Sequence, residues 1–240
     1  MTMRWRTARG SACLVALSFA GGCATARMEL PADMAAVEPI AVQGRQGFRV
    51  REGLRFGGYS AVDVRRSWTS GRDVRIDAYA REQRAQEYGF TLRENDVPRW
   101  TVECEARVFV QGVEVVGVDV LKDDRSSLDC QLEPAGGGDG WRLGLEEERE
   151  RPLSGALSGP DGRYDVVGTN HIEGGVVPAS QTTGYELRSG ERVVGAVEVI
   201  SGGAVRLRPE LGAPERTLLA AAAAALLLLE DLRATLEVGL

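Results

Sequence analysis

The chain has 240 residues, 43% of them hydrophobic and 27% charged, proportions of a globular protein long enough to bury a real core. Acidic residues outnumber basic ones by 35 to 29, for a net charge of −6, which argues against a nucleic-acid partner.

At the N-terminus, Arg4, Arg6 and Arg9 precede the apolar stretch "SACLVALSFA" and a run of small residues. This is the layout of a secretory signal, so residues 1–22 are expected to direct export and to be removed. The remaining chain carries 26 basic and 35 acidic residues, a net charge of −9. The segment "FAGGCAT" that follows resembles a bacterial lipobox, with small residues directly before Cys23 and Ala20 where leucine is preferred. The resemblance implies that Cys23 receives a diacylglycerol thioether and becomes the acylated first residue. Several acyl chains on one residue would give a stable membrane anchor. Ala24 in the next position resembles lipoproteins sorted to the outer membrane. The same residues leave a second route open: Ala24, Thr25 and Ala26 form an A-x-A site, and cleavage before Arg27 would release a soluble periplasmic or secreted protein.

With Cys13 removed in the signal and Cys23 lipidated, Cys104 and Cys130 remain as a pair in an oxidising compartment, and a disulfide between them is predicted. Two separate buried thiols are the alternative. The spacing excludes a C-x-x-C redox or zinc motif.

Residues 23–47 comprise the lipidated cysteine and a stretch with two prolines and little periodicity, expected to form a flexible tether. Residues 48–240 are read as a single β-rich domain. Its clearest strand is "WTVECEARVFV", where Trp100, Val102, Cys104, Ala106, Val108 and Val110 share one face and Thr101, Glu103, Glu105 and Arg107 the other. Ten further segments have the same character: "SAVDVRRSW", "DVRIDAYA", "YGFTLRE", "VEVVGVDVL", "SLDCQLE", "WRLGLE", "RYDVVGTN", "GYELRS", "RVVGAVEVI" and "AVRLRP". Turn chemistry such as "GGGDG", "GPDGR" and "RSGE" separates them, and such short connections favour antiparallel hairpins.

The last element is "PERTLLAAAAAALLLLEDLRATLE". Pro214 and Glu215 suit a helix N-terminus and the alanine and leucine content gives high helix propensity, so residues 214–236 are predicted to form one helix. Its apolar run is shorter than the roughly 20 residues a bilayer requires. Every face of its central turns is apolar, the mark of a segment surrounded by protein, and six consecutive alanines make it thin. The predicted fold is therefore mainly β: a closed or strongly curled antiparallel sheet of about a dozen strands around one hydrophobic C-terminal helix. This order of elements resembles the tubby, scramblase and LURP-one superfamily, whose barrel encloses a hydrophobic C-terminal helix. A two-layer α+β sandwich is the alternative.

No motif carries chemistry strongly. His171, in "GTNHIEGG", is the only histidine, so a hydrolytic triad or a histidine base would have to use it. Ser154 and Ser158, in "PLSGALSGP", do not form a nucleophile elbow. The acidic segments "LEEERER" and "KDDRSSLD" lack the spacing of a calcium loop and are read as a solvated strand edge that discourages edge-to-edge association; no metal or other cofactor is implied. Residues 43–99 carry twelve arginines against eight acidic residues, whereas 100–150 carry five basic against thirteen acidic. Arg65, Arg66, Arg72 and Arg75 could meet anionic lipid headgroups or polysaccharide, or they could pair with acidic strands of the same sheet, as could Arg81 and Arg84.

The leading expectation is a non-enzymatic, lipid-anchored envelope protein serving as a binding or structural module. The alternative is an exported enzyme acting on envelope polysaccharide or lipid, which requires His171 in a cleft with an orienting partner.

Overall fold

A computed structural model describes residues 25–45, 53–77, 79–115, 118–147 and 152–236. The expected signal and Cys23 lie outside the described residues.

The fold is mainly β, as the alternation of apolar and polar residues requires. The strands are β1 (Ile40–Ala41), β2 (Leu54–Phe56), β3 (Tyr59–Arg66), β4 (Ser70–Ile76), β5 (Tyr79–Glu94), β6 (Val97–Val115) and β7 (Val118–Pro134). They continue as β8 (Trp141–Glu146), β9 (Ser154–Gly159), β10 (Gly162–Thr169), β11 (Gly184–Ser189), β12 (Arg192–Glu198) and β13 (Ala204–Leu207). A short helix α1 (Ala32–Ala35) precedes them and a long helix α2 (Ala213–Leu228) follows. All pairings among these strands are antiparallel, in the order β1-β13-β12-β11-β10-β9-β8-β7-β6-β5-β3-β2, with β4 added beside β5. The two ends of that order meet at a single bridge, where the Gln43 N–H donates to the Arg55 carbonyl at 2.8 Å and the Arg55 N–H returns the bond at 3.0 Å. The sheet is thus a nearly closed barrel.

Helix α2 runs through its interior. From Thr217 to Leu228 every residue is buried, and the six alanines 220–225 have no exposed surface. Around them stand the inward side chains of the strands, among them Phe56, Tyr88, Phe90, Leu92, Leu128, Leu132, Leu143, Leu157 and Leu187. Alanine is what lets a helix fit such a tube: it fills the axis without forcing the surrounding leucines from their rotamers. At its entry, the Tyr164 hydroxyl donates to the Glu215 carboxylate at 2.8 Å.

Cys104 and Cys130 are directly opposite each other on β6 and β7, face the interior, and form a disulfide. Glycine serves close packing at two positions. The Trp141 ring lies where a Cβ on Gly159 would be, and the Met28 side chain where one on Gly184 would be.

Three expectations need correction. Residues 25–45 are not a loose tether in the structure. Met28 and Met34 are buried, Met34 packs with Val193 and Ala196 on the outside of β12, and the chain then enters the barrel as β1. Asp33 holds Arg208, and the Val37 carbonyl accepts from Arg206 at 3.2 Å, so the polar groups under this strap are satisfied as well. Second, the helix expected over 214–236 ends at Leu228. Leu229 is extended, and after Asp231 a separate 3₁₀ turn (Leu232–Thr235) begins, capped by the Asp231 carboxylate accepting from the Arg233 N–H at 3.0 Å. Glu230 and Asp231 reach the barrel mouth, where polar partners draw the chain out of the helical path. Third, the strands number thirteen among the described residues, not eleven. The segment "DVRIDAYA" contains the β4–β5 turn, "VEVVGVDVL" spans the end of β6 and the start of β7, and "SGALSG" is β9.

Candidate functional site

Because α2 fills the barrel axis, the chemistry of the molecule lies at its ends. The C-terminal end of α2 is the richer one. The Ala225 carbonyl accepts from the Leu229 N–H at 3.1 Å, the carbonyls after it lie beyond the last backbone bond of the helix, and three side chains serve this end. The Tyr88 hydroxyl donates to the Ala225 carbonyl at 2.9 Å, Arg45 Nε to Leu227 at 3.1 Å, and Arg66 Nη2 to Leu228 at 2.7 Å. Arg45 also donates to the Val199 carbonyl. Two guanidinium groups at the negative end of a helix dipole are favourably placed. Burial lowers the Arg45 pKa, outweighing the opposing influence of Tyr185. Burial drives the phenol of Tyr88 far above the ordinary tyrosine range, and that of Tyr185 likewise.

The 3₁₀ turn then folds back over the long strands and sends Arg233 into a nest of acceptors. Arg233 pairs with Asp124, with Glu147 at 2.6 Å, and with the Ser126 hydroxyl at 3.0 Å. Burial opposes its charge, but the hydrogen bond to Asp124 and the field of Glu147 outweigh it, so its pKa rises above the usual arginine value. Glu230 meets Arg66 at 3.3 Å and accepts from the Gln86 amide at 3.3 Å.

Between this turn and the barrel rim lies a cavity of about 600 Å³, in the size range of small-ligand sites. Leu226, Leu229 and Leu232 form its apolar floor, Thr182 and Tyr185 supply hydroxyls, and Arg45 and Glu147 supply charge. Ala26 stands at its lip, its carbonyl accepting from the Ser201 hydroxyl at 2.7 Å. A wider, open groove of about 1460 Å³ crosses the strands beyond the barrel, with Arg72, Gln83, Phe109 and Arg125 on its lining.

The residues singled out from sequence fall in different places. His171 is on the loop after β10, its side chain 54% exposed and its Nδ1 3.8 Å from the Glu29 carboxylate, and it is not among the residues lining the cavity. Ser154 clips two strands together, donating to the Pro152 carbonyl at 3.0 Å and accepting from the Gly168 N–H at 3.1 Å. Ser158 is exposed on β9. The four arginines do not form one face. Arg65 pairs with Glu103, Arg66 turns inward onto α2, and Arg72 and Arg75 are exposed on β4, three residues apart and so on opposite faces. Arg81 lies 4.9 Å over the Phe109 ring, and Arg84 pairs with Asp73.

The acidic segments are engaged as well. Asp123 pairs with Arg125, Asp124 with Arg233, and Asp129 with Arg142; Asp129 lies where β7 is bonded to both β6 and β8, whereas Asp123 and Asp124 lie on the part of β7 that, among the described residues, pairs with β6 alone. Among the described residues no set of His, Cys, Asp or Glu side chains converges as a metal site, and no helix is long and apolar enough to cross a membrane.

Sequence reasoning missed Arg45, Arg233 and Tyr185. Arg45 lay in the stretch taken for a tether and Arg233 in the stretch taken for helix. The one available signal was the "EDLR" sequence directly after a fully apolar run, a cluster of charge where the helix must leave the core. Compared with protein-family models, with curated proteins and with solved structures, the chain finds no match.

Proposed function

We propose that this chain is an exported, lipid-anchored cell-envelope protein that works as a non-enzymatic binding module, with the cavity at the open end of the barrel as its binding site. The observation that carries the reading is Ala26 at the lip of that cavity. Cys23 precedes Ala26 by three residues, a fully extended reach of roughly 10 Å. An acyl anchor on Cys23 therefore holds the cavity against the bilayer surface, where an amphiphile could enter it, apolar part toward Leu226 and Leu229 and polar part toward Arg45 and Thr182. The filled barrel supports binding at the rim, since α2 leaves the axis no room for a substrate. Exposure of His171 on a loop favours the binding reading over the enzyme alternative, which needs His171 and nearby carboxylates in a cleft. The order of elements, strands first and an enclosed helix last, supports kinship with the tubby, scramblase and LURP-one barrels. Arg72 and Arg75, both exposed, are the arginines best able to meet anionic headgroups or acidic polysaccharide.

The test is the intact mass of the protein from membrane and soluble fractions, for the native chain and for Cys23→Ala. A membrane-bound species beginning at acylated Cys23, lost in the variant, is expected. An unmodified soluble chain beginning at Arg27 would overturn the anchor and, with it, the membrane-facing site.

A further inference from the structure

We infer that β4 is a self-pairing edge, through which two copies of this chain join antiparallel, β4 to β4, about a two-fold axis. Strand β4 pairs with β5 from Ser70↔Ala85 to Ile76↔Tyr79 without a register shift, and among the described residues no strand pairs with its other side. All seven of its residues are exposed. Natural edges are usually blunted by charge, by proline, by a bulge or by brevity; β4 has no proline and no bulge, and its three charged residues, Arg72, Asp73 and Arg75, decide which partner can pair with it. It offers a regular row of backbone donors and acceptors.

The side chains select a second copy as the occupant. Ser70, Arg72, Val74 and Ile76 share one face, and Gly71, Asp73 and Arg75 the other. A two-fold axis normal to the sheet keeps each face on its own side, so only residues of the same face can stand opposite each other. With Val74 opposite the Val74 of the second copy, Asp73 meets Arg75, Arg75 meets Asp73, and Arg72 lies beside Ile76. This register gives two opposite-charge pairs on one face and a joined aliphatic strip on the other, where Val74 is 38% and Ile76 63% exposed. Shifting the axis to Asp73 opposes two carboxylates. Shifting it to Arg72 or to Arg75 opposes two guanidinium groups. The strand is therefore complementary to itself in one register and repelled in its neighbours. Arg84, which pairs with Asp73 within the chain, holds that carboxylate on the face where the Arg75 of the second copy would arrive.

This inference is independent of the anchor and of the cavity. The test uses the full chain with Val74→Cys under mild oxidation, read on a non-reducing gel beside the unsubstituted chain. Opposed residues of an antiparallel pair have Cα atoms about 4.5–5.5 Å apart, within disulfide range. The molecule already joins one such cross-strand pair, Cys104 and Cys130. A covalent dimer is expected for Val74→Cys, and for a mixture of Arg72→Cys with Ile76→Cys, but not for Arg72→Cys alone. Adding Arg75→Asp to Val74→Cys should cut the dimer yield at least tenfold. Because every residue of β4 is exposed, these variants should unfold at the same temperature as the parent, and that measurement accompanies the gel. Three results would each overturn the inference: no dimer from Val74→Cys, equal yield from Arg72→Cys alone, or trapping of a different protein in place of a second copy.

Discussion

Replacing Arg233 by alanine would leave the carboxylates of Asp124 and Glu147, 16% and 14% exposed, without their shared cation. Removing one partner from a mostly buried ion pair costs about 3 kcal/mol, because the remaining charges are left desolvated. Denaturant unfolding of Arg233→Ala should show a loss of that order, and a midpoint equal to the parent would mean that the turn contributes nothing to closing the barrel mouth. Lysine should restore only part of the loss, since a single ammonium cannot reproduce the fork that reaches Asp124, Glu147 and Ser126 together. At this scale the sequence was informative where a pattern constrained it. Cys104 and Cys130 were legible as a pair because they are the two cysteines left once Cys13 and Cys23 are assigned to the expected signal and lipid. Arg45 and Arg233 were not, because an isolated arginine reads as surface until the helix end it caps is known.

The helix and the strands show which elements a linear pattern can reveal. The run 218–229 is apolar on every face, and burial of all its residues up to Leu228 follows from that property. A larger side chain at its centre has nowhere to go. Ala222→Leu should destabilise the fold by about 1–3 kcal/mol through overpacking, measured by thermal or denaturant unfolding. An unchanged transition would show that the barrel can widen around α2. The strands that escaped reading are those with no alternation to read. β1 has two residues and β2 three, and β9 is "SGALSG", four of its six residues glycine or serine. The β4–β5 turn hides inside a continuous pattern because Asp77, at φ +50°, turns the chain without a glycine. The strap over β12 was misread for another reason. Met28 makes an isolated bridge to Ile172 and Met34 sits in a four-residue helix, so no regular period runs through both, and their burial is visible only once β11 and β12 are there to receive them.

For the molecule as a whole, the seam between the first and last parts of the sheet is the narrowest joint. β1 is paired with β13 over two residues, and one bridge, Gln43 to Arg55, completes the circuit to β2. Gln43→Pro deletes the donor of that bridge and should raise amide hydrogen exchange in residues 40–45 and 54–56, while the paired interior of β6 and β7 keeps its protection. Uniform exchange across the sheet would instead show that closure and the rest of the barrel open as one unit. The fold class was legible because alternation, short turns and one enclosed helix leave few solutions. Closure was not, since it depends on a bridge between a residue thought to be tether and one not recognised as strand.

The enclosed helix also fixes when this protein can exist. Residues 213–228 are the filling around which β2 to β13 close, and they are synthesised after every strand, while β1, needed for the seam, is synthesised before all the others. While residues 213–228 are still inside a ribosome or a translocation channel, the strands have nothing to wrap. Native structure therefore waits until Leu228 has emerged, and a truncation that ends before Ala213 should yield aggregation-prone sheet rather than a smaller barrel.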